Sequence, residues 1–359
     1  MIIDCDTHNN PSPSALAPFL PLRWADYLAA YGLRTPGELG MVRARWMSCR
    51  ADAWGPNGEP PGTDLAVFQE QVFGDCGVDI AILNSIMMSA QMFTGGNQPQ
   101  EFTNALMTAA NEWVANTWLA EEPRLYSAIC SPHEDAEAAA REIHRWGDDD
   151  RFVHVLLPFR MQKPMGNRTY WPLYEAAVEH DLPVSTHPAT IGNNLVTGAG
   201  WVSFYYEDHT GLPQALFNQV ASLIFEGVFD RFPKLRVIIQ EGGWSWVAPF
   251  AWRLDRAFEQ HHAEVHHLQR RPSEYIREHF WFTTQPIEEP ERPAQFDEAL
   301  AAFGMPERLI FSTDYPHWDF DSPDGALPAS IDAELRDMIF SRNALALYPT
   351  IAKHPSVAA

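Results

Sequence analysis

Eight short apolar runs, separated by longer stretches with helical spacing, constrain this chain more than any other feature. The runs cover positions 2–5, 79–83, 125–130, 152–157, 182–186, 235–240, 280–283 and 309–312. Strands buried on both faces read this way, because a parallel sheet covered by helices leaves neither face to water. Between them, positions 102–120, 135–146, 171–180, 212–229 and 244–260 place apolar residues three and four apart, as a helix with one buried face requires. The alternation predicts repeated βα units, and eight of them predict an α/β protein of the TIM type, a closed (β/α)8 barrel. The 359 residues suit one such barrel with insertions, since these folds run from roughly 200 to over 400 residues.

Two segments interrupt the alternation. Positions 11–74 are rich in Pro, Gly and Trp and too long for a connecting loop, so they are expected to form an N-terminal insertion covering the barrel mouth. Positions 188–211 follow the fifth run and carry Gly192, Gly198, Gly200 and the aromatic run Phe204, Tyr205, Tyr206. Loops after barrel strands lie on the catalytic face, which makes both segments expected pocket walls. With no repeat and no low-complexity tract, 1–359 reads as a single domain whose tail, 349–359, is loosely held.

Charge and termini narrow the function classes. The 47 acids face 25 bases, a net charge of −22, which argues against a nucleic-acid surface, since binding phosphates takes clustered Lys and Arg. The first residues lack a basic, apolar leader, and no run approaches the roughly 18 apolar residues of a membrane span. A cytoplasmic protein without membrane contact is expected. Cys5, Cys49, Cys76 and Cys130 are scattered, as reduced thiols are, and show no metal-knuckle spacing.

The chemistry sits where the runs end. Asp6 and His8 follow the first run two residues apart, a spacing that points both side chains to the same side of an extended chain. His187 ends the fifth run, Glu241 the sixth and Asp314 the eighth. These C-terminal strand ends are where barrel enzymes keep catalytic groups, so Asp6, His8, His187 and Asp314 are expected to hold a metal. An ion held by imidazoles and carboxylates lowers the pKa of a bound water towards about 7 and polarises substrate oxygens, bringing hydrolysis or decarboxylation within reach. Arg160, after the fourth run, offers a fork suited to a small carboxylate, with Arg23 as competitor. His209 and His317 are further candidates for substrate contact, and Trp171, Trp201, Trp244 and Trp318 for an aromatic pocket, Trp244 foremost. His261, His262, His266 and His267 lie at the outer end of a predicted helix and read as a solvated face.

Several of these motifs resemble the second amidohydrolase family of the amidohydrolase superfamily, the group typified by aminocarboxymuconate-semialdehyde decarboxylase. The opening Ile3-Asp4-Cys5-Asp6-Thr7-His8 resembles its first-strand His-x-His motif, and Thr186-His187-Pro188 its fifth-strand histidine. Ser312-Thr313-Asp314-Tyr315-Pro316-His317 is similar to its eighth-strand hallmark, whose aspartate binds metal and touches the catalytic water. Positions 339–344 resemble its closing helix, so the likeness spans nearly the whole chain. Asp6 and Glu241 stand where the family's decarboxylases carry histidine, leaving Glu241 either a general base or a ligand. The resemblance implies one zinc ion and non-oxidative decarboxylation or hydrolysis of a small organic acid or amide, with Asp314 and Glu241 moving protons. A harder site of two ions, iron or iron with manganese, would imply oxygen-dependent hydroxylation instead. In that alternative the chain would be either catalytic or a supporting subunit beside a related barrel. Either way an oligomer is expected, a homo-oligomer first and a hetero-oligomer in the hydroxylase case.

Overall fold

The computed structural model of the chain describes residues 1–33, 49–85, 98–188, 200 and 202–357. Its eight strands are β1 (Ile3–Thr7), β2 (Ile80–Leu83), β3 (Leu125–Cys130), β4 (Phe152–Pro158), β5 (Val184–His187), β6 (Val237–Ile239), β7 (Phe280–Thr283) and β8 (Leu309–Ile310). Each pairs in parallel with the next, in sequence order. The seam between β8 and β1 is closed by Cys5 N–H donating to Phe311 O at 2.9 Å, Asp314 N–H to Asp6 O at 3.0 Å and His8 N–H to Tyr315 O at 2.7 Å. The fold is thus the (β/α)8 barrel that the alternation predicts.

Side-chain parity divides the strands into two cores. Ala81, Leu83, Val155, Leu157, Val237, Ile239, Phe280 and Phe282 pack outward against the helices. Ile3, Ile80, Ile82, Ile238, Trp281 and Ile310 form an inner cluster with Leu347, Tyr348 and Ile351 of the closing segment, so the tail expected to be loose from 349 is instead anchored by the burial of Ile351. On β1 the register shifts between Asp4, opposite Ala81, and Thr7, opposite Leu83, so three residues span what two span on β2. Because strand side chains alternate faces, one extra residue resets which of them point inward. Ile3 and Cys5 belong to the inner apolar cluster, and beyond the bulge Asp6 and His8 take over that face.

Several elements are shorter than expected, each for a local reason. β8 ends at Ile310 because the following amides find side chains instead of a ladder: Ser312 N–H donates to Thr284 Oγ1 and Thr313 N–H to Asp4 Oδ1. The helix expected over 102–120 divides into Gln100–Asn116 and Trp118–Glu121 at Thr117, whose ψ of −87° leaves the helical region. The one over 212–229 divides into Leu212–Phe225 and Val228–Arg231 at Gly227, which has φ +75°. Within the N-terminal insertion, Arg50 N–H donates to Pro316 O, and Asn10 N–H, in the loop after β1, donates to Gly62 O. Residues 49–62 therefore lie against the loops after β1 and β8, while 34–48 fall outside the described residues. Among the described residues no helix is long and apolar enough to cross a membrane.

Candidate metal centre

Asp6 and His8 at the end of β1, His187 at the end of β5 and Asp314 beyond β8 converge at the barrel mouth. One potential ligand atom of each lies within 4.8 Å of all the others, and all four residues are buried. His8 Nε2 stands 2.8 Å from Asp314 Oδ1 and 3.6 Å from Asp6 Oδ1, and His187 Nε2 stands 3.5 Å from Asp6 Oδ2. Both imidazoles are oriented by backbone: His8 Nδ1 lies 2.6 Å from Asn84 O, and His187 Nδ1 lies 2.5 Å from Pro188 O. A carbonyl only accepts, so each Nδ1 carries the proton and each Nε2 can turn a lone pair to the centre.

Asp6 Oδ2, His187 Nε2 and Asp314 Oδ2 are buried with no hydrogen-bond partner among the described residues. An atom left so costs about 1–3 kcal/mol, and three in one place call for a common partner. A divalent cation fits, since the set offers two imidazole nitrogens and carboxylate oxygens with their outer hydrogen bonds in place.

The electrostatics agree. Burial, aided by the neighbouring Asp314, pushes the Asp6 carboxyl up to about 7. Glu241 is raised well above the usual carboxylate range, first by burial and then by Asp314, Asp319 and Asp6. Burial opposes charge on His8 too, but the hydrogen bond to Asp314 and the charge of Asp6 raise it to about 9. His187 is pushed down to about 3 by burial and by His8. Protons therefore gather where negative charge is crowded, and a metal ion would displace them.

Two backbone positions show how the ring is built. Asp314 has φ +61° and Glu241 φ +47°, left-handed values that cost a side-chain-bearing residue of order 1–3 kcal/mol. Asp314 is held there by its N–H to Asp6 O, and Glu241 by its N–H to Thr283 Oγ1 at 3.1 Å. After Glu241 the turn requires glycine: a Cβ on Gly242 would meet Leu216 Cδ1 at 2.2 Å, and Gly243 has φ +65°.

Around the four lie further polar groups. Glu241 Oε2 is 3.3 Å from His187 Nε2, and His209 Nε2 is 3.7 Å from Glu241 Oε1 and 3.0 Å from Asp319 Oδ2. His317 Nδ1 lies 2.7 Å from Asp314 Oδ1. Arg160 is tied to Asp208, with 2.5 Å between Nη2 and Oδ1. Arg23 lies over the Trp24 ring. Trp318 flanks the site, 5.6 Å from His209 and 5.7 Å from Tyr206 between ring centroids.

Trp244, expected in the pocket, is not there. It is 1% exposed and packs edge-on against Phe296 and Phe303, because the turn after Glu241 directs it outward beneath a helix. Trp171 likewise packs on Phe232, outside the barrel. Trp201, Gly192 and Gly198 fall outside the described residues. His261, His262, His266 and His267 are exposed, as a solvated face would be. Sequence reasoning missed Asp319 and Asn84. Asn84 stands at a strand end like the ligands, a signal available to a search wider than His and carboxylates; Asp319 offered none.

Comparison with known proteins identifies the family of the chain. The Amidohydro_2 model, described as amidohydrolase, matches residues 3–350, and the chain belongs to that family. It is similar to a gamma-resorcylate decarboxylase of Polaromonas sp. strain JS666, 29% identical over 251 residues, which are 63% of this chain and 72% of the relative. It is also similar to a 2-amino-3-carboxymuconate-6-semialdehyde decarboxylase of Dictyostelium discoideum, 24% identical over 67% of this chain and 63% of the relative. Among solved structures, a dihydroxybenzoic acid decarboxylase from Polaromonas sp. JS666 with bound manganese and 2-nitroresorcinol shares the fold. Its TM-score is 0.66 at 21% identity, over 99% of this chain and 98% of that one. A 5-carboxyvanillate decarboxylase from Sphingomonas paucimobilis gives a TM-score of 0.70 at 20% identity, over 97% and 98%.

Proposed function

We propose that this chain is a metal-dependent carboxy-lyase that removes CO2, without oxidation, from a small hydroxylated aromatic acid. The observation that carries the reading is the convergence of Asp6, His8, His187 and Asp314, with buried, unshared lone pairs at one point. The reaction class follows the named relatives, which are decarboxylases, and it is preferred here to amide hydrolysis. The aromatic side of the mouth, where Tyr206, Trp318 and His209 meet, supports a planar substrate.

Asp6, His8, His187 and Asp314 would hold one divalent ion. Zinc is compatible with this set, but carboxylate oxygens from Asp6, Asp314 and nearby Glu241 favour a harder ion such as manganese. When bound, such an ion would polarise substrate oxygens and offset the charge of the leaving carboxylate. Arg160, close enough for its charge to act on Glu241, would face the substrate's anionic group. As the carbon–carbon bond breaks, its electron pair stays on the ring carbon, which must gain a proton. The Glu241 carboxyl, whose hold on a proton burial and the neighbouring carboxylates strengthen, is the group proposed to carry it, while Asp314, braced by His317 through Oδ1, turns Oδ2 to the metal.

The test is CO2 release and product analysis with manganese-loaded protein on a panel of hydroxybenzoates that includes 2,6-dihydroxybenzoate. The reading predicts one phenol and one CO2 per substrate consumed, with no dioxygen uptake. No turnover anywhere in the panel would sink it.

A second reading draws on one further observation: ligand atoms of His209, Glu241 and Asp319 also lie within 4.8 Å of one another, beside the first set. Two irons, or iron with manganese, across both sets would support oxygen-dependent hydroxylation, by this chain or by a related barrel it supports. Two metals per chain with dioxygen uptake would favour that reading over decarboxylation.

A further inference from the structure

Beneath the ligands the barrel interior holds a line of buried polar side chains that the proposed reaction does not use. Asn84, just past β2, is 1% exposed, and each of its polar groups is engaged. Its backbone N–H donates to Thr7 O at 2.7 Å, and its carbonyl accepts from His8 Nδ1–H. Its side-chain Nδ2 donates to Asp6 Oδ1 at 2.8 Å and to Cys5 O at 3.3 Å. Its Oδ1 stands 2.8 Å from Nε2 of His154, and His154 Nδ1 stands 3.2 Å from the Tyr348 hydroxyl. His154 and Tyr348 are both buried, the latter within the closing segment that plugs the barrel interior.

Only one arrangement of protons satisfies this line. The amide atom facing Asp6 and Cys5 meets two acceptors, so it must be the NH2 group. Oδ1 is then the acceptor, His154 carries its proton on Nε2, and Nδ1 accepts from the Tyr348 hydroxyl. The amide occupies Asp6 Oδ1 and leaves Oδ2 unshared, while the Asn84 carbonyl holds the His8 proton on Nδ1 and leaves Nε2 for a metal.

We infer that Tyr348, His154 and Asn84 form a positioning chain that fixes, from inside the barrel, which atoms Asp6 and His8 present to the metal. Asn84 is its hub, His154 prevents the amide from flipping, and Tyr348 couples the C-terminal closing segment to the first-strand ligands. The chain acts through the ligands and touches no substrate; the inference rests on the metal reading proposed above.

The test measures manganese affinity, by competition with a chromophoric chelator, together with the melting midpoint of the metal-free full-length protein. Asn84→Leu and His154→Leu are expected to weaken manganese binding on the order of 10–100-fold, as loss of such outer partners does. His154→Gln, whose amide N–H can still reach Asn84, should recover part of that loss, and Tyr348→Phe should weaken binding by roughly 3-fold or more. Asn111→Ala serves as the burial control: its amide bonds Cys130 and Glu142, away from the ligands, so the midpoint should fall while affinity holds. Affinities equal to the parent's in all chain variants would overturn the inference and leave the metal reading standing, whereas a parent that binds no manganese would overturn both. Should the Leu variants not fold, Tyr348→Phe decides alone, and an unchanged affinity there overturns the chain.

Discussion

Replacing Asp314 by Asn separates a metal ligand from a structural residue. Asparagine has the same shape, tolerates the left-handed backbone at φ +61°, and its single oxygen can still accept from His8 and His317. It removes one charge from a cluster in which Asp314 itself helps raise the pKa of Asp6 and Glu241. The metal-free variant should therefore melt within about 2 °C of the parent, because lost hydrogen-bond strength and relieved repulsion oppose each other. Metal at 100 times its Kd adds about 2.7 kcal/mol to the parent. An unfolding entropy of about 2.1 cal/mol/K per residue over 359 residues converts this to about 3–4 °C. If the variant binds on the order of 100-fold more weakly, the same metal adds only about 0.4 kcal/mol, or roughly 0.5 °C. Calorimetry of both proteins with and without manganese reads the two quantities separately. An undiminished metal-dependent rise in the variant would refute the ligand assignment.

Glu241→Gln tests a different role: metal content should stay near the parent's while turnover falls on the order of 10²-fold or more, and loss of metal would make Glu241 a ligand instead. His154 sets a pH dependence. Burial lowers its pKa from 6.5 to about 3, so between those values the unfolded chain binds more protons than the native protein and stability rises with pH. The contribution is full above pH 6.5 and lost at about 1.4 kcal/mol per unit as pH falls towards 3. Denaturant titrations of metal-free His154→Gln should accordingly gain about 2 kcal/mol on the parent between pH 7 and 5, and a constant difference would contradict it. Trp244→Ala should cost about 3–5 kcal/mol of stability, since it empties a packed site against Phe296 and Phe303, with manganese affinity unchanged; weaker binding would return Trp244 to the site.

The barrel was legible because strands buried on both faces must be apolar along their length, a pattern that survives without knowledge of neighbours. Element ends were less so, since β8 stops where Thr284 and Asp4 side chains take over its amides, partners distant in sequence. Asp6, His8, His187 and Asp314 could be placed by their positions at strand ends, although the bulge on β1 that turns the first two inward leaves no mark in composition. Trp244 was misplaced because it lies three residues past Glu241, and which way a turn throws an aromatic ring depends on its dihedrals. His154 did leave a signal, a lone polar residue inside the apolar run Phe152–Pro158, but its partners Asn84 and Tyr348 lie 70 and 194 positions away.

One divalent ion held jointly by β1, β5 and the loop after β8 would be located by anomalous diffraction from crystals of manganese-loaded protein. One strong peak is expected within about 2.0–2.3 Å of His8 Nε2, His187 Nε2 and oxygens of Asp6 and Asp314. A peak elsewhere, or none at saturating manganese, would contradict it.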